Sequence, residues 1–418
     1  MTLDLSTIEQ AARVIRAATR LTPAWPSAIL EQITAVPVTL KCEQLQRTGS
    51  FKVRGALNFV ANLPADGVLG LVAASAGNHA QGVAYAASLR GLPVTVVMPS
   101  FAPLAKVNAA KGYGARVVLH GLSLEQARDH ARTIAANEGL IFVPPFDDDH
   151  VIAGQGTLGL ELLAQAPHLS EVLVPTGGGG LLAGVATAIK ESNPAIRVIG
   201  VQAAAMDGVA RSFAAGSLIE VPPRRTIADG VAVAGPSERT FTLVRRYVDE
   251  IVTVPEDAIA HALLLLVERS KMVVEGAGAL GVAALQSGLY RPKGPAAVIL
   301  SGGNIDINLI GSIIRRGLVD AGRYQQLSIQ VSDTPGELAA ITAAIASEGG
   351  NILEVEHNRE APQLPVGVAI LDLVLEVDGP EHFDRVVAAL TAAGITRVGS
   401  VSDTRSSPAA RTRNDRRE

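Results

Sequence analysis

Short apolar runs alternate with helical patterns at an even pitch, and this feature most limits the folds open to the chain. Residues 94–98 and 115–119 are strand-like, and helical stretches follow them at residues 103–111 and 123–137. Strands that alternate with helices in this way predict a parallel, doubly wound α/β sheet. Ligands of such sheets bind at the carboxyl ends of the strands, where the glycine-rich segments of this chain fall.

With 418 residues, the chain is long enough for two or three domains. We predict an α/β unit over residues 1–322, which opens with a helix because Ser6 and Glu9 have capping-box spacing. Beyond it the elements follow the order strand, helix, strand, strand, helix, strand. This βαββαβ order predicts a ferredoxin-like module over residues 325–401. The segment 402–418 is rich in Ser, Pro, Arg and Asp and is predicted to be a disordered tail.

Composition argues against several classes of function. The net charge is -4, and no basic stretch interleaved with aromatic residues precedes the last dozen residues, so nucleic acid is not an expected partner. No signal peptide and no membrane-spanning run is recognisable, so neither secretion nor membrane insertion is expected. Cys42 is the only cysteine, which argues against a disulfide or a cysteine-built metal site. We therefore predict a cytoplasmic protein.

Lys52 is the candidate reactive residue. It lies in the segment Ser-Phe-Lys-Val-Arg-Gly-Ala, residues 50–56, at a predicted junction between a strand and a helix. Partial desolvation and nearby positive charge would lower the pKa of its amine and make it a nucleophile towards carbonyl groups. The motif alone does not separate such a lysine from an ordinary one.

A run of four glycines, residues 177–180, follows a predicted strand and precedes a predicted helix. Backbone N–H groups of such a loop can converge on an anion, and the helix N-terminus adds partial positive charge. A flexible turn is the alternative. No Gly-Lys-Ser/Thr follows, and Gln202 stands where a dinucleotide site would carry an acidic residue. A small cofactor with a single phosphate is the best remaining ligand, and together with a reactive lysine it suggests pyridoxal phosphate.

Four segments resemble, in order, the motifs of a known family. They are residues 50–56, Ser-Ala-Gly-Asn-His-Ala-Gln-Gly at 75–82, Thr-Gly-Gly-Gly-Gly at 176–180 and Ser-Gly-Gly-Asn at 301–304. Over roughly the first 320 residues, the chain resembles the serine/threonine dehydratase branch of the tryptophan-synthase-β-like, fold type II, pyridoxal phosphate enzymes. The resemblance implies two α/β subdomains, of which the smaller, mobile one covers approximately residues 55–150.

The resemblance also implies an activity and a site. The expected reaction is β-elimination from threonine, and from serine, to a 2-oxo acid and ammonia, as the first step of isoleucine synthesis. Lys52 would bond to the cofactor aldehyde and later take the Cα proton of the substrate. The implied cofactor contacts are Phe51, Lys52, Asn78 at the 3'-oxygen, Gly177, Gly178, Gly179 and Gly180 at the phosphate, and Ser301 at the pyridine nitrogen. The implied carboxylate contacts are Ser75 and the backbone of Ala76, Gly77, Asn78 and His79.

The C-terminal module resembles an ACT domain through Asp-Thr-Pro-Gly-Glu-Leu at residues 333–338 and Gly-Gly-Asn-Ile at 349–352. This implies allosteric regulation by an amino acid, with isoleucine or valine suspected, bound at a turn that leads into a helix. An ordinary helix cap is the alternative. A homotetramer is the family expectation.

Several departures and alternatives bear on the function. Ala76 stands where racemases of this branch carry a serine, so racemisation should be minor. Gln202 and Gly208 stand where relatives with a divalent-cation site are acidic, so no metal is expected, and residues 147–149, three adjacent aspartates, fit a solvated loop. Dehydration of serine or 3-hydroxyaspartate and β-replacement are alternative reactions, although His79 argues against β-replacement. A non-catalytic amino-acid sensor is the alternative from another class.

Overall fold

The computed structural model describes residues 3–360, 364–395 and 398–399. By compactness the chain divides into two units, Met1–Leu309 and Ile310–Glu418. The boundary at residue 322 and the smaller subdomain at 55–150 stay predictions. The predicted tail, residues 402–418, lies outside the described residues, as does part of the last strand of the predicted module.

The elements of the first 165 residues carry the alternation that the sequence predicts. They are α1 (Leu5–Ile15), β1 (Ala24–Pro26), α2 (Ala28–Thr34), β2 (Val38–Cys42), α3 (Lys52–Ala61), β3 (Leu71–Ala74), α4 (Asn78–Leu89), β4 (Val94–Met98), α5 (Leu104–Gly112), β5 (Arg116–Leu119), α6 (Leu124–Glu138), β6 (Ile141–Phe142) and α7 (Asp149–Gln165).

The alternation continues to the end of the first unit and beyond it. The next elements are β7 (Glu171–Pro175), α8 (Gly180–Ser192), β8 (Arg197–Ala203), α9 (Gly208–Ala215), α10 (Glu238–Tyr247), β9 (Glu250–Val254), α11 (Glu256–Ser270), α12 (Leu280–Gln286), β10 (Ala296–Leu300) and α13 (Ile307–Asp320). The last are β11 (Tyr324–Ser332), α14 (Glu337–Ser347), β12 (Asn351–Asn358), β13 (Val368–Glu376), α15 (Pro380–Ala392) and β14 (Val398–Gly399).

The described part of the first unit contains two sheets. One has four parallel strands in the order β5-β4-β3-β6, and the other has six strands in the order β1-β2-β10-β7-β8-β9. In the second sheet only the edge strand β1 runs antiparallel to its neighbour. The α/β prediction is confirmed. In each sheet the carboxyl ends of the parallel strands lie at the same edge, and so do the loops that follow them.

The first helix begins earlier than the sequence predicted. Its N-cap is Asp4, whose Oδ1 accepts hydrogen bonds from the Thr7 N–H at 2.9 Å and from the Ser6 hydroxyl at 2.8 Å. The predicted start at Ser6 was wrong because Asp4 accepts from the third helical residue and takes over the capping role.

Helices α7 and α8 pack closely through glycines. A Cβ at Gly184 of α8 would lie 2.4 Å from the Ile152 carbonyl oxygen and 2.7 Å from the Gly156 nitrogen of α7. Because no side chain separates the two backbones here, α7 is buried over most of its length. This contact fixes the start of α8, where the tetraglycine segment lies.

A network of buried charges holds the first turn of α3. Arg54 is fully buried and makes two 2.8 Å contacts to the Glu43 carboxylate and two to that of Glu161. Lys41, also fully buried, donates to Glu161 Oε2 at 2.8 Å. Burial opposes both charges of the central pair, but Glu43 raises the pKa of Arg54, and Arg54 with Lys41 lowers that of Glu43. The network ties α3 to the segment after β2 and to α7.

After α13, the described residues of the second unit form an antiparallel sheet with the two helices α14 and α15. Its strands lie in the order β12-β13-β11-β14 and all pairs are antiparallel. Strand β13 alternates between buried and half-buried residues along its whole length, and its buried side packs into a core with residues of α14 and α15. This is the βαββαβ arrangement that the sequence predicted.

Within the described part of the chain, no helix is long and apolar enough to cross a bilayer. The same residues contain no group of three or more His, Cys, Asp or Glu side chains placed to hold a metal ion.

Candidate active site

Lys52 is the first residue of α3, and its amine points into the protein. The Nζ atom donates a hydrogen bond to the Pro145 carbonyl oxygen at 2.8 Å and lies 5.4 Å from the centre of the Phe51 ring. Burial lowers the pKa of Lys52 to about 8, and the negative charge of Glu275 opposes this shift. The predicted lowering of the Lys52 pKa agrees with the structure. The predicted contribution of nearby positive charge was wrong, because the neighbouring charge that acts on the amine is an acid.

The tetraglycine segment forms a loop between β7 and α8. Gly179 has φ +91°, a conformation that other residues rarely adopt. A Cβ at Gly178 would lie 2.5 Å from the Phe146 ring, so that position has no room for a side chain. In the described parts of the chain, no hydrogen bond is donated by the N–H groups of Gly177, Gly178 or Gly179. These donors, beside a helix N-terminus, form a cradle for an anion.

Residues 145 and 146 bring the lysine and the glycine loop together. The carbonyl oxygen of Pro145 accepts from Lys52, and the next residue, Phe146, packs against Gly178 and Gly180. Two segments that are distant in sequence therefore meet at a common pair of neighbours.

The asparagine loop follows β3 and begins α4. The Ser75 hydroxyl accepts from the Gly77 N–H at 3.1 Å, whereas the N–H groups of Ala76 and Asn78 donate no hydrogen bond among the described residues. Residues 75–78 are half-buried, so these N–H groups line a partly open space at a helix N-terminus. This arrangement can receive a carboxylate.

The His79 side chain has a structural contact. It is buried, and its Nε2 lies 2.9 Å from the Val143 carbonyl oxygen. Burial, followed by the charge of Lys52, lowers the pKa of His79 to about 3. The ring is therefore neutral, and because a carbonyl only accepts, Nε2 carries the proton. The Nε2–H group of His79 is therefore used in a structural contact and not at the carboxylate site.

Ser301 closes the site from the far end of the first unit. Its side chain is buried, and its carbonyl oxygen accepts from the Phe51 N–H at 3.0 Å. A bridge between Ser50 and Gly302 runs alongside. The lysine segment and the Ser-Gly-Gly-Asn segment are thus joined backbone to backbone.

Comparison with known proteins identifies the family. Residues 15–302 match the family described as pyridoxal-phosphate dependent enzymes. The chain belongs to this family. An L-threonine ammonia-lyase of Thermotoga maritima is 45% identical over 393 residues, which cover 94% of this chain and 98% of that protein.

Solved structures of this family share the fold. A crystal structure of a T.th. threonine deaminase has a TM-score of 0.69 and 46% sequence identity, and the match covers 73% of this chain and 99% of that chain. Maize serine racemase has a TM-score of 0.72 and 34% identity, covering 77% of this chain and 99% of that chain. The fold type II prediction for the first unit is confirmed.

Pyridoxal phosphate is the cofactor of this family, and the prediction of that cofactor is confirmed. The residues present fit it. Lys52 offers an amine whose pKa is lowered to about 8, and the loop at Gly177, Gly178 and Gly179 offers N–H donors without other partners among the described residues. The amine can bond to the cofactor aldehyde, and the N–H donors can bind its phosphate.

Glu275 is a site residue that the sequence reasoning missed. The sequence pattern favours a helix that opens at this residue, but α12 begins only at Leu280, and Glu275 lies buried in the loop before it. Its Oε1 accepts from Asn78 Nδ2 at 2.7 Å. Burial, followed by the charge of Asp229, raises the pKa of Glu275 to about 7, although the Asn78 hydrogen bond lowers it. The signal in the sequence was an acid in a stretch with few other polar residues.

The positions considered for a metal have other contacts. Gln202 is buried, and its Oε1 accepts from the Ala210 N–H at 2.9 Å. A Cβ at Gly208 would lie 2.0 Å from the Ala234 carbonyl oxygen, which leaves no room for an acidic side chain.

The three adjacent aspartates serve the fold. Asp148 caps α7 through the N–H groups of His150 and Val151, while Asp147 and Asp149 each lie 2.8 Å from Arg239. Asp148 is therefore bound to a helix terminus and the other two to a cation, while Asp147 stays exposed, as expected of a solvated loop.

The pKa of Lys52 gives a direct prediction. In the cofactor-free protein, the Lys52 amine should react with acetic anhydride at a rate that rises with pH around a midpoint near 8, because burial favours the neutral form. A lysine peptide in the same tube provides the control, with a midpoint at about 10.4. Mass spectrometry of the digested protein measures both rates. Coincident midpoints would contradict the desolvated amine.

Proposed function

We propose that this protein is a threonine ammonia-lyase, which converts L-threonine to 2-oxobutanoate and ammonia and accepts L-serine to give pyruvate. The observation that carries the proposal is the desolvated amine of Lys52, which shares neighbours with a glycine loop rich in free N–H groups. The near full-length similarity to an L-threonine ammonia-lyase supports the choice of substrate.

Four sets of residues would hold the cofactor. The loop at residues 177–180 would bind its phosphate, Lys52 its aldehyde, Asn78 its ring oxygen and Ser301 its pyridine nitrogen, with Phe51 beside the ring. When bound, pyridoxal phosphate supplies an electron sink that acidifies the Cα–H bond of an amino acid. Because the hydroxyl of Ser301 does not force a proton onto the pyridine nitrogen, as a carboxylate would, the chain favours loss of a β-substituent over transamination.

Lys52 is the proposed base for the Cα proton. A base is most effective when its pKa lies close to the working pH, and burial lowers the pKa of Lys52 to about 8. An ordinary lysine, with a pKa of about 10.4, would be protonated at neutral pH and could not take a proton.

The asparagine loop is the proposed seat of the substrate carboxylate. The free N–H groups of Ala76 and Asn78 stand at the N-terminus of α4, where the helix dipole favours a negative charge. The Ser75 hydroxyl accepts from Gly77 and so keeps its own proton for donation. This loop would fix the orientation of the Cα–H bond towards Lys52.

Racemisation should be minor. At the position where racemases are expected to carry a serine, this chain has Ala76, whose methyl group cannot deliver a proton to the second face of the substrate. We therefore propose elimination as the main outcome, even though maize serine racemase shares the fold.

Parallel assays with threonine, serine and 3-hydroxyaspartate test the reaction. Threonine should give 2-oxobutanoate and ammonia in equal amounts, serine should give pyruvate at a lower rate, and Lys52→Ala should lower turnover by at least about 10³-fold because base and attachment point are lost together. Serine or hydroxyaspartate as the preferred substrate would select the alternative dehydratases. A protein that binds amino acids without turnover at any effector level would instead be a sensor.

We further propose that the second unit is an ACT domain that regulates the enzyme, in a cytoplasmic homotetramer of isoleucine synthesis. Support comes from the turn before α14. Gly336, the N-cap of that helix, has φ +105° and open space beside it, and Asp333 is held by Arg359 at 2.9 and 3.1 Å. An ordered turn at a helix N-terminus suits an amino-acid carboxylate.

Removal of residues 324–418 tests this regulation. The truncated protein should keep threonine turnover but lose its response to isoleucine and valine, because the proposed effector site is gone. The full chain and the truncated chain are assayed at equal concentration, with size-exclusion chromatography reporting any change in assembly. A response that survives truncation places the effector site in the first unit.

A further inference from the structure

The carboxamide of Asn78 lies between two side chains that come from the same later part of the chain. Its Nδ2 donates to Glu275 Oε1 at 2.7 Å, and its Oδ1 accepts from Asn304 Nδ2 at 2.6 Å. The two contacts span 197 and 226 residues of sequence, so they form only when the chain is folded.

The donor and acceptor of each hydrogen bond are fixed by atoms that can only donate or only accept. Asn304 Nδ2 also donates to the Thr48 carbonyl oxygen at 2.9 Å, and a carbonyl can only accept. Since that nitrogen faces Asn78 as well, the atom of Asn78 opposite it must be the oxygen. The nitrogen of Asn78 therefore faces Glu275, and turning the amide over would place donor against donor at Asn304.

One N–H of Asn78 remains after these contacts. The Nδ2 atom carries two hydrogens, and Glu275 Oε1 is its only hydrogen-bond acceptor among the described residues. The free N–H belongs to a half-buried residue at the start of α4, in the same loop as the proposed carboxylate site.

We propose that Glu275 and Asn304 are positioning residues, which fix the Asn78 carboxamide so that its second N–H is presented to an acceptor oxygen on the cofactor ring. This rests on the contact assigned to Asn78 in the proposed function. At the cofactor ring, Glu275 and Asn304 act through Asn78. The charge of Glu275 also acts on the Lys52 amine, so Asn304→Ala, which removes no charge, is the variant that separates the two effects.

The carboxyl group of Glu275 is enclosed. It is 4% exposed, and a Cβ at Gly302 or Gly230 would lie 2.5 or 3.3 Å from its Oε1. The charges that act on it are those of Asp229, which lies 2.6 Å from Lys106, of Lys106 itself and of Lys52. Because little water reaches the carboxyl group, its contact with Asn78 is not readily replaced by solvent.

A double-mutant cycle on cofactor affinity tests the proposal without using turnover. Full-length protein is freed of cofactor and titrated with pyridoxal phosphate, and the dissociation constant is read from the absorbance of the bound cofactor. Glu275→Ala is measured alone and in an Asn78→Ala background. Alone it should weaken affinity by about 10- to 100-fold, the range for hydrogen bonds to charged groups. In the Asn78→Ala background its effect should fall to that of Glu275→Gln, which removes only the charge, since the group it positions is gone.

Glu275→Gln is the conservative variant. Its side chain keeps an acceptor oxygen for Asn78 Nδ2 and removes only the charge, so the loss of affinity should be within about fivefold, clearly smaller than for Glu275→Ala. The cofactor-free thermal midpoint of every variant is recorded beside the dissociation constant. Asn304→Ala is measured in the same cycle and replaces Glu275→Ala if that variant does not fold. Its expected loss is smaller, about 3- to 10-fold, because its hydrogen bond joins two neutral amides, and the loss should disappear in the Asn78→Ala background.

Each outcome decides a different point. An equal loss of affinity for Asn304→Ala in both backgrounds would overturn the proposal, because that residue would then act on the cofactor without Asn78. A loss in Glu275→Gln as large as in Glu275→Ala would overturn the orientation argument. If Asn78→Ala itself binds cofactor normally, the ring contact assigned to Asn78 fails and this proposal fails with it, while the proposed reaction and the role of Lys52 stand.

Discussion

Partial removal of the Lys52 amine from water is the constraint on which the proposed chemistry of this protein depends. An exposed lysine is charged at neutral pH and strongly hydrated, and neither property suits a group that must attack a carbonyl and accept a proton. Burial at the start of α3 lowers its pKa to about 8. That position is held in turn by Arg54, in the same turn of the helix, whose charge is matched by Glu43 and Glu161. A buried cation with only one partner would be costly, and the network that also includes Lys41 avoids that cost.

The proposed site also requires that the glycine loop and the helix after it lie very close to neighbouring residues. Glycine permits this because it has no side chain. At Gly178 the loop packs directly onto Phe146, the neighbour of the carbonyl that holds Lys52. At Gly184 the helix that begins at the loop lies against α7, which also carries Glu161 of the charge network. The amine and the anion cradle therefore depend on the same helix packing.

The sequence predicted those parts of the molecule that depend on local pattern. The strand at 94–98 and the βαββαβ order of the second unit follow from period and spacing, and the family motifs pointed to the cofactor. Helix α7 escaped notice because it is apolar on most sides and contains three glycines, so no amphipathic stripe marks it. The role of Asp4 as the first cap was missed because two nearby polar residues compete for that position, and only the folded chain shows which accepts.

Long-range contacts account for what the sequence did not show at the site. The charge that acts on Lys52 comes from Glu275, which lies far along the chain. No local sequence pattern predicts that these two residues are close in the fold. Asn304 is part of a recognisable motif. Its hydrogen bond to Asn78, however, joins residues 226 positions apart and forms only in the folded chain. The neutral state of His79 likewise follows from burial against Val143 rather than from its place in a glycine-rich turn.

The proposed chemistry requires that the cofactor be attached to Lys52. Reduction of the cofactor-loaded protein with borohydride, followed by proteolysis and mass spectrometry, locates the covalently fixed cofactor on a single peptide. We predict the added mass on Lys52 alone. The added mass on any other amine, or on none, would contradict it.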